Sequence, residues 1–178
     1  MKIRSHISLL YELLSRIPEP EIKTVLDAGS GRSSLSALIS SFPDADITAV
    51  IFPGDERKRE SCSEFIGVSA SLCETDLCSG EVKGPFDLTV AHLLLGECRK
   101  FGHEFSDVLS ALCALDTKYL AVIDYSEDPV VCEKDVAALS DRGFELLFNE
   151  TDENPEPQDF GSFKGVHNFG YLFKKASS

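Results

Sequence analysis

Apolar and polar positions follow two periods along this chain, which predicts helices alternating with buried strands. From Ser5 to Ile17, apolar residues recur every three or four positions, as on one face of an amphipathic helix that Pro18 would end. Short apolar runs with β-branched residues follow, as in strands of a parallel sheet that is covered on both faces. The predicted strands are 23–27, 47–52, 69–73, 86–92, 118–125, 144–148 and 166–174.

The segments between these strands have helical spacing as far as Asp141 and lose it afterwards. One predicted helix ends at about Ser41. The others run from Asp55 to about Ile66, from about Arg99 to Leu115 and from Pro129 to about Asp141. An acidic, proline-rich loop, 150–159, joins the last two strands without a helix. The pattern predicts an α/β fold: a seven-stranded, mostly parallel sheet with a C-terminal antiparallel strand pair and helices on both faces.

Length and charge narrow the classes of protein. We expect a single domain over 1–178, with an N-terminal helix and linker in 1–20 and the sheet core in 21–178. Thirty acidic residues against seventeen Lys and Arg give a net charge of −13, which makes a nucleic-acid partner unlikely. The basic run 57–59 is flanked by acids, so we interpret it as a solvated helix face.

Other sequence signals exclude further classes. No apolar run approaches the roughly 20 residues that span a bilayer, and the first residues lack a signal-peptide pattern, so we expect a cytoplasmic protein without membrane contact. The six cysteines form no Cys-x-x-Cys pair, and no histidine is close in sequence to Cys73 or Cys78. We therefore expect no metal site. The oligomeric state stays open.

The stretch from Thr24 to Leu38 carries the strongest functional signal. A short apolar run ends in an acid, passes through Gly29 and Gly31 and restarts with helical spacing. Glycine has no Cβ, so the backbone can take a positive φ and let a ligand approach closely. The N-terminus of the following helix directs free N–H groups toward the same place. This stretch predicts a ligand-binding turn.

Two cofactor classes use such a turn, and the neighbouring residues favour one of them. A dinucleotide fingerprint needs a third glycine or alanine and an acid after the next strand; here the third position is Ser34 and no acid ends that strand. The run from Asp27 through Gly29 and Gly31 to Ser33 resembles the Asp-x-Gly-x-Gly-x-Gly loop of class I S-adenosylmethionine-dependent methyltransferases, with Ser33 in place of the last glycine. The strand order is also similar to that family's.

The resemblance implies a Rossmann-like fold, S-adenosylmethionine as cofactor, and methyl transfer to a small molecule or a protein side chain. The residues it implies as cofactor-binding are Asp27, Ala28, Gly29, Ser30, Gly31, Asp55, Asp76 and Leu77. Asp27 matches the family acid near the methionyl group, and the loop contacts the cofactor through its backbone. Asp76 matches an acid that bonds the adenine amino group, with Leu77 beside the ring. Each aspartate also has a purely structural interpretation, as a loop-organising or surface carboxylate.

Two positions leave alternatives open. The family's ribose-binding acid at the end of the second strand is replaced by Ile51 or Phe52. Asp55 either bends back to the ribose or merely caps the next helix. His92 follows the fourth strand, where it either takes a proton from the attacking atom or simply packs beneath the next helix. A further pair of histidines, His103 and His167, are weaker catalytic candidates.

Three interpretations of function remain beside the methyltransferase. The chain could be a non-catalytic, methyltransferase-like module that binds a partner, or a glycine turn without a ligand. A nicotinamide-dependent oxidoreductase is less favoured, because of Ser34 and Ile51.

Overall fold

The computed structural model describes residues 5–18, 21–126, 133–151 and 167–177. The α-helices are α1 (His6–Ser15), α2 (Arg32–Ser41), α3 (Glu56–Cys62), α4 (Leu94–Glu97), α5 (Phe105–Ala114) and α6 (Glu133–Ala137). The strands are β1 (Thr24–Asp27), β2 (Asp46–Ile51), β3 (Ala70–Glu74), β4 (Phe86–His92), β5 (Thr117–Ser126), β6 (Phe144–Thr151) and β7 (His167–Lys175). Short 3₁₀ turns cover Leu77–Ser79, Cys98–Phe101 and Ala138–Arg142.

The strands form one seven-stranded sheet in the order β3-β2-β1-β4-β5-β7-β6. The five strands from β3 to β5 are parallel, whereas β7 runs antiparallel to both β5 and β6. This arrangement confirms the predicted α/β sheet with its antiparallel C-terminal pair. The chain order reverses between β1 and β4, and ligands of open α/β sheets bind outside the strand ends at such a reversal.

Alternating side chains of each strand enter two separate apolar cores, one on each face of the sheet. Val25 of β1 belongs to the core that α1 and α2 cover with Leu10 and Leu38. The next residue, Leu26, belongs to the core that α5 covers with Leu109. The helices therefore lie on both faces, as predicted. They hold the C-terminal ends of β1 and β4 between two packed layers.

The prediction of one helix from Arg99 to Leu115 is wrong. The chain there continues the turn Cys98–Phe101 and breaks at Gly102, and α5 starts only at Phe105. Gly102 has a φ of 78°, in the left-handed region, which ends a helix. The spacing of Phe101 and Phe105 fits one turn of a helix, but Phe105 packs on the core beneath α5, whereas Phe101 stacks on Phe52.

Other boundaries differ less. The helix predicted from Asp55 ends at Cys62 rather than near Ile66. The predicted helix start at Pro129, most of the loop 150–159, and Val166 lie outside the described residues. Among the helices of the described ranges, none combines the length and apolarity that crossing a membrane would need.

Candidate active site

The glycine loop, residues 28–31, lies at the point where the strand order reverses. The Ala28 amide donates to the carbonyl of Val90 in β4 at 2.9 Å, and the Ser30 amide donates to the carbonyl of Val50 in β2 at 2.9 Å. The loop is thus bonded to both strands that flank β1. These bonds fix the backbone over which a ligand would lie.

The two glycines serve different purposes from the one expected. Neither has a positive φ, and Gly31 is extended, with φ −143°, as the N-cap of α2. A Cβ on Gly29 would instead lie 2.7 Å from Cδ1 of Leu94 and 3.2 Å from its Cβ. Gly29 therefore leaves room for the Leu94 side chain of α4, and the loop does not use the positive φ that glycine permits.

Asp27 lies directly beneath this loop and is fully buried. Ser34 donates its hydroxyl to Oδ2 of Asp27 at 2.6 Å, while Oδ1 has no hydrogen-bond partner among the described residues. Burial raises the pKa of Asp27 to about 6. A buried, unpaired carboxylate oxygen is costly, and Asp27 has no exposed surface, so a cation or hydrogen-bond donor would have to approach it through the loop.

Ser34 is a site residue that the sequence analysis counted only as a missing glycine. Its hydroxyl accepts from the Gly31 amide at 3.1 Å in addition to its bond to Asp27. The residue therefore joins the start of α2 to the acid of β1.

An apolar cleft opens between the loop and the end of β2. Its free volume is about 50 Å³, and its walls include Ala28, Ser30, Val50, Phe52, Leu77 and Phe101. The rings of Phe52 and Phe101 stack with their centroids 4.5 Å apart. Gly29, Asp55 and Asp76 also reach this cleft. The fold thus brings six of the eight predicted cofactor-binding residues to one cavity.

Asp76 stands at the edge of the apolar cleft with both carboxylate oxygens in use. Oδ1 accepts from the Cys78 amide at 2.9 Å, and Oδ2 lies 2.7 Å from Nε2 of His103. The side-chain donor atoms of Asp76, Cys78 and His103 lie within 4.8 Å of one another. Ligand spacing in the sequence does not indicate this trio, because His103 is remote from Cys78 along the chain.

Asp55 caps the next helix, and its side chain also reaches the apolar cleft. Its Oδ1 accepts from the Lys58 amide at 3.1 Å and so caps α3. The side chain is half-buried and also lines the apolar cleft. No partner of Oδ2 is found in the described part of the chain, so this oxygen is available to a ligand.

Replacing Asp55 by Asn separates these two roles. Asn caps helices about as well as Asp, so the melting temperature of Asp55→Asn should stay unchanged, whereas loss of the carboxylate should weaken S-adenosylhomocysteine binding at least about tenfold, or ~1.4 kcal/mol. Calorimetry and thermal unfolding measure the two effects. Glu56→Gln is the matched control, since Glu56 is exposed in the same helix and lines neither cavity. Equal affinity in wild type and Asp55→Asn would remove Asp55 from the site.

A second cavity, wider and more polar, lies on the other side of the glycine loop. We call it the basic groove; its volume is about 660 Å³, and its ionisable basic residues are His6, Arg32, Arg57, Lys58, His92 and Lys100. Gly29 and Gly31 form part of its floor. Lys58 is one of six residues that line both cavities; the others are Gly29, Phe52, Asp55, Glu97 and Phe101.

His92, at the end of β4, is buried at 7% exposure and lies against a second histidine. Its Nε2 is 2.8 Å from Nδ1 of His6 in α1. Burial, together with the neighbouring His6 and Lys58, lowers the pKa of His92 to about 3, so its imidazole is neutral at pH 7. The sequence did not indicate His6, because nothing in the helix pattern shows that α1 begins beside the end of β4.

Lys58 corrects the interpretation of residues 57–59 as a solvated helix face. Its side chain is 33% exposed, and Nζ lies 3.4 Å from Oε2 of Glu97 in α4. Arg59 forms an ion pair with Glu74 of β3. These pairs join different elements rather than successive turns of one helix, so the basic run connects α3 to the site.

Asp124, at the end of β5, holds α4 in place above the loop. Its Oδ2 accepts from the Leu95 amide at 2.8 Å and from the Gly96 amide at 3.2 Å. Burial raises the pKa of Asp124 to about 7 despite these bonds. The position of Leu94 over Gly29 depends on this carboxylate.

His167 is not part of either cavity. Its Nε2 lies 2.7 Å from Oε2 of Glu133, whose other oxygen accepts from Thr151 and Tyr171. These contacts connect α6 to β6 and β7. Of the four histidines in the chain, only His6 and His92 line the basic groove.

No protein-family model matches this chain, and no curated protein matches it. Solved structures do share its fold. The N-methyltransferase NodS from Bradyrhizobium japonicum WM9 aligns with a TM-score of 0.67 at 14% identity, over 97% of this chain and 94% of NodS. The 1,6-didemethyltoxoflavin-N1-methyltransferase from Burkholderia thailandensis, solved with S-adenosylhomocysteine, aligns with a TM-score of 0.66 at 15% identity, over 97% and 79% of the two chains.

An rRNA methylase from Streptococcus thermophilus aligns with a TM-score of 0.61 at 15% identity, over 99% of this chain and all of the other. Identities this low establish the fold alone. The chain has the fold of class I S-adenosylmethionine-dependent methyltransferases, as the glycine loop predicted. The neighbours act on small molecules in one case and on rRNA in another, so their fold does not select an acceptor.

Proposed function

We propose that this protein is an S-adenosylmethionine-dependent methyltransferase that acts on a small molecule or a protein side chain. The observation that carries the proposal is the Asp27 carboxylate, buried with an unpaired oxygen under a glycine loop at the reversal of strand order. A dinucleotide would bring phosphates to this loop, and a phosphate beside a buried carboxylate is repelled. The methionyl ammonium of S-adenosylmethionine is positively charged and is attracted to the Asp27 carboxylate.

The remaining residues of the two cavities fit the other parts of this cofactor. Lys58, whose Nζ would lie 3.5 Å from a Cβ on Gly31, supplies a cation for the methionyl carboxylate. The apolar cleft suits an adenosine, with Leu77 beside the base and Asp76 as an acceptor at its edge. The unused Oδ2 of Asp55 is the ribose partner.

The bound cofactor supplies a methyl group already activated by a sulfonium, so the chain itself chiefly positions the acceptor. His92 is neutral at pH 7 and lies in the basic groove, where its imidazole accepts a hydrogen bond from the attacking atom. His6 contacts Nε2 of His92 and holds the imidazole in place. The proton that leaves the methylated atom goes to solvent, because a group with a pKa of about 3 does not retain it. His92 is the proposed catalytic residue, and His6 its positioning partner.

The test is a calorimetric titration of the full chain with S-adenosylmethionine, S-adenosylhomocysteine and NAD in parallel. We expect saturable binding of the first two and none of NAD. Binding of NAD alone would overturn the proposal in favour of the oxidoreductase. A chain that binds S-adenosylmethionine but never transfers its labelled methyl group to small-molecule or protein fractions would be the non-catalytic binding module.

A further inference from the structure

The basic groove has a charge opposite to that of the whole chain. Four Lys and Arg residues line it against two acids, Asp55 and Glu97, although the chain has a net charge of −13. The cations come from separate elements: Arg32 from α2, Arg57 and Lys58 from α3, and Lys100 from the turn after α4. Side chains brought together from three parts of the sequence in this way concentrate positive potential in one cavity.

The acids near the basic groove compensate its four cations unevenly: Arg32, Lys58 and Lys100 each have an acidic partner, whereas Arg57 has none among the described residues. Glu97 alone serves two cations, with Lys58 and Lys100 each 3.4 Å from one of its oxygens. Asp55 uses Oδ1 for the backbone amide of Lys58. Arg57 has no ion pair within the described ranges, and Arg32 pairs with Glu64, which lies outside the groove.

The cofactor accounts for only one of these cations. Lys58 borders both the apolar cleft and the basic groove, whereas Arg32, Arg57 and Lys100 border the groove alone. The first turn of α2 adds the positive end of its helix dipole at Gly31. Arg57 and the N-terminus of α2 therefore remain as uncompensated positive charge in the groove, where we expect the methyl acceptor to enter.

We propose that the methyl acceptor is a small organic anion, with a carboxylate or phosphate group held by Arg57 and Lys100 beside His92. The inference rests on the proposed methyltransferase function and adds the class of substrate to it. A groove of about 660 Å³ has the size of a small-molecule site. A nucleic acid needs a longer basic surface, and the −13 charge of the chain opposes it.

The test uses pyrophosphate and citrate as probes, titrated calorimetrically at low ionic strength into the full chain saturated with S-adenosylhomocysteine. We expect at least one probe to bind, and the double variant Arg57→Gln/Lys100→Gln to raise its Kd at least tenfold. Arg142→Gln/Lys83→Gln removes the same charges outside both cavities and should leave the Kd unchanged. Preference for one probe distinguishes a phosphate-bearing from a carboxylate-bearing acceptor.

Each contrary outcome has one meaning. Equal Kd values in wild type and the groove variant, or an equal loss in the control variant, would overturn the inference, as would tight tRNA binding that depends on Arg57 and Lys100. The titration with S-adenosylhomocysteine itself is read separately. If that ligand fails to bind, the proposed function fails first; if it binds and neither anion does, only the acceptor class is wrong.

Discussion

Gly29→Val should abolish S-adenosylhomocysteine binding, with a loss of at least a hundredfold, in a protein that still folds. Even a single Cβ at this position would lie 2.7 Å from Leu94, and the larger valine would also project over the loop where the cofactor is proposed to lie. Displacing Leu94 costs roughly 1–3 kcal/mol of stability, as in other overpacked sites. Circular dichroism and calorimetry on the same sample measure both effects.

A double variant separates the two reasons for this glycine. In Gly29→Ala/Leu94→Ala the contact with α4 is relieved, so the stability lost in Gly29→Ala should largely return. If the cofactor needs the bare backbone, the affinity should remain at least tenfold below that of Leu94→Ala alone. Should the double variant bind as well as Leu94→Ala, Gly29 would serve only the packing of α4.

Asp27→Asn should weaken S-adenosylhomocysteine binding roughly 10- to 100-fold, because hydrogen bonds to charged groups contribute about 1.5–3 kcal/mol. The wild-type affinity should also rise with pH. Asp27 has a pKa of about 6 in the free protein, and a methionyl ammonium favours its ionised form. Raising the pH from 5 to 7 therefore removes the proton that competes with the ligand.

The Asp27→Asn variant should lose this pH dependence, whereas Asp124→Asn, which removes another buried acid of raised pKa, should retain it. Stability gives an independent check. The pKa of Asp27 is raised above its ordinary value of 3.8, so the native state binds more protons than the unfolded state between these values. The free energy of unfolding of wild type should therefore fall relative to that of Asp27→Asn as the pH rises from about 4 to 6. Parallel pH profiles of the two proteins would contradict the assignment.

Local pattern was enough to predict the sheet, because its central strands are buried on both faces and most of the parallel strands are joined by helices. It was enough for the glycine loop, since strand, turn and helix start lie within fifteen residues. It failed at Gly102, where one apolar stripe continued across a break. A stripe reports which side is buried, and it does not report whether the backbone is continuous.

The residues missed at the site are those whose role depends on distant elements. His6 meets His92 across 86 positions, and Lys58 meets Glu97 only because α3 and α4 face each other. The net charge of −13 did not indicate the basic groove, because a sum over the whole chain says nothing about where the cations lie. Only the three-dimensional arrangement shows that four of them share one cavity.

The stacked rings of Phe52 and Phe101 have a consequence for the rate of ligand entry. The free volume of the apolar cleft, about 50 Å³, is below the size of an adenosine, so we expect its walls, which include this ring pair, to move apart before a base enters. Each entering base then replaces one aromatic contact by another, and the net gain from stacking is small. This opening involves the protein alone, so it does not become faster when more ligand is added. We therefore expect it to set an upper limit on the observed association rate.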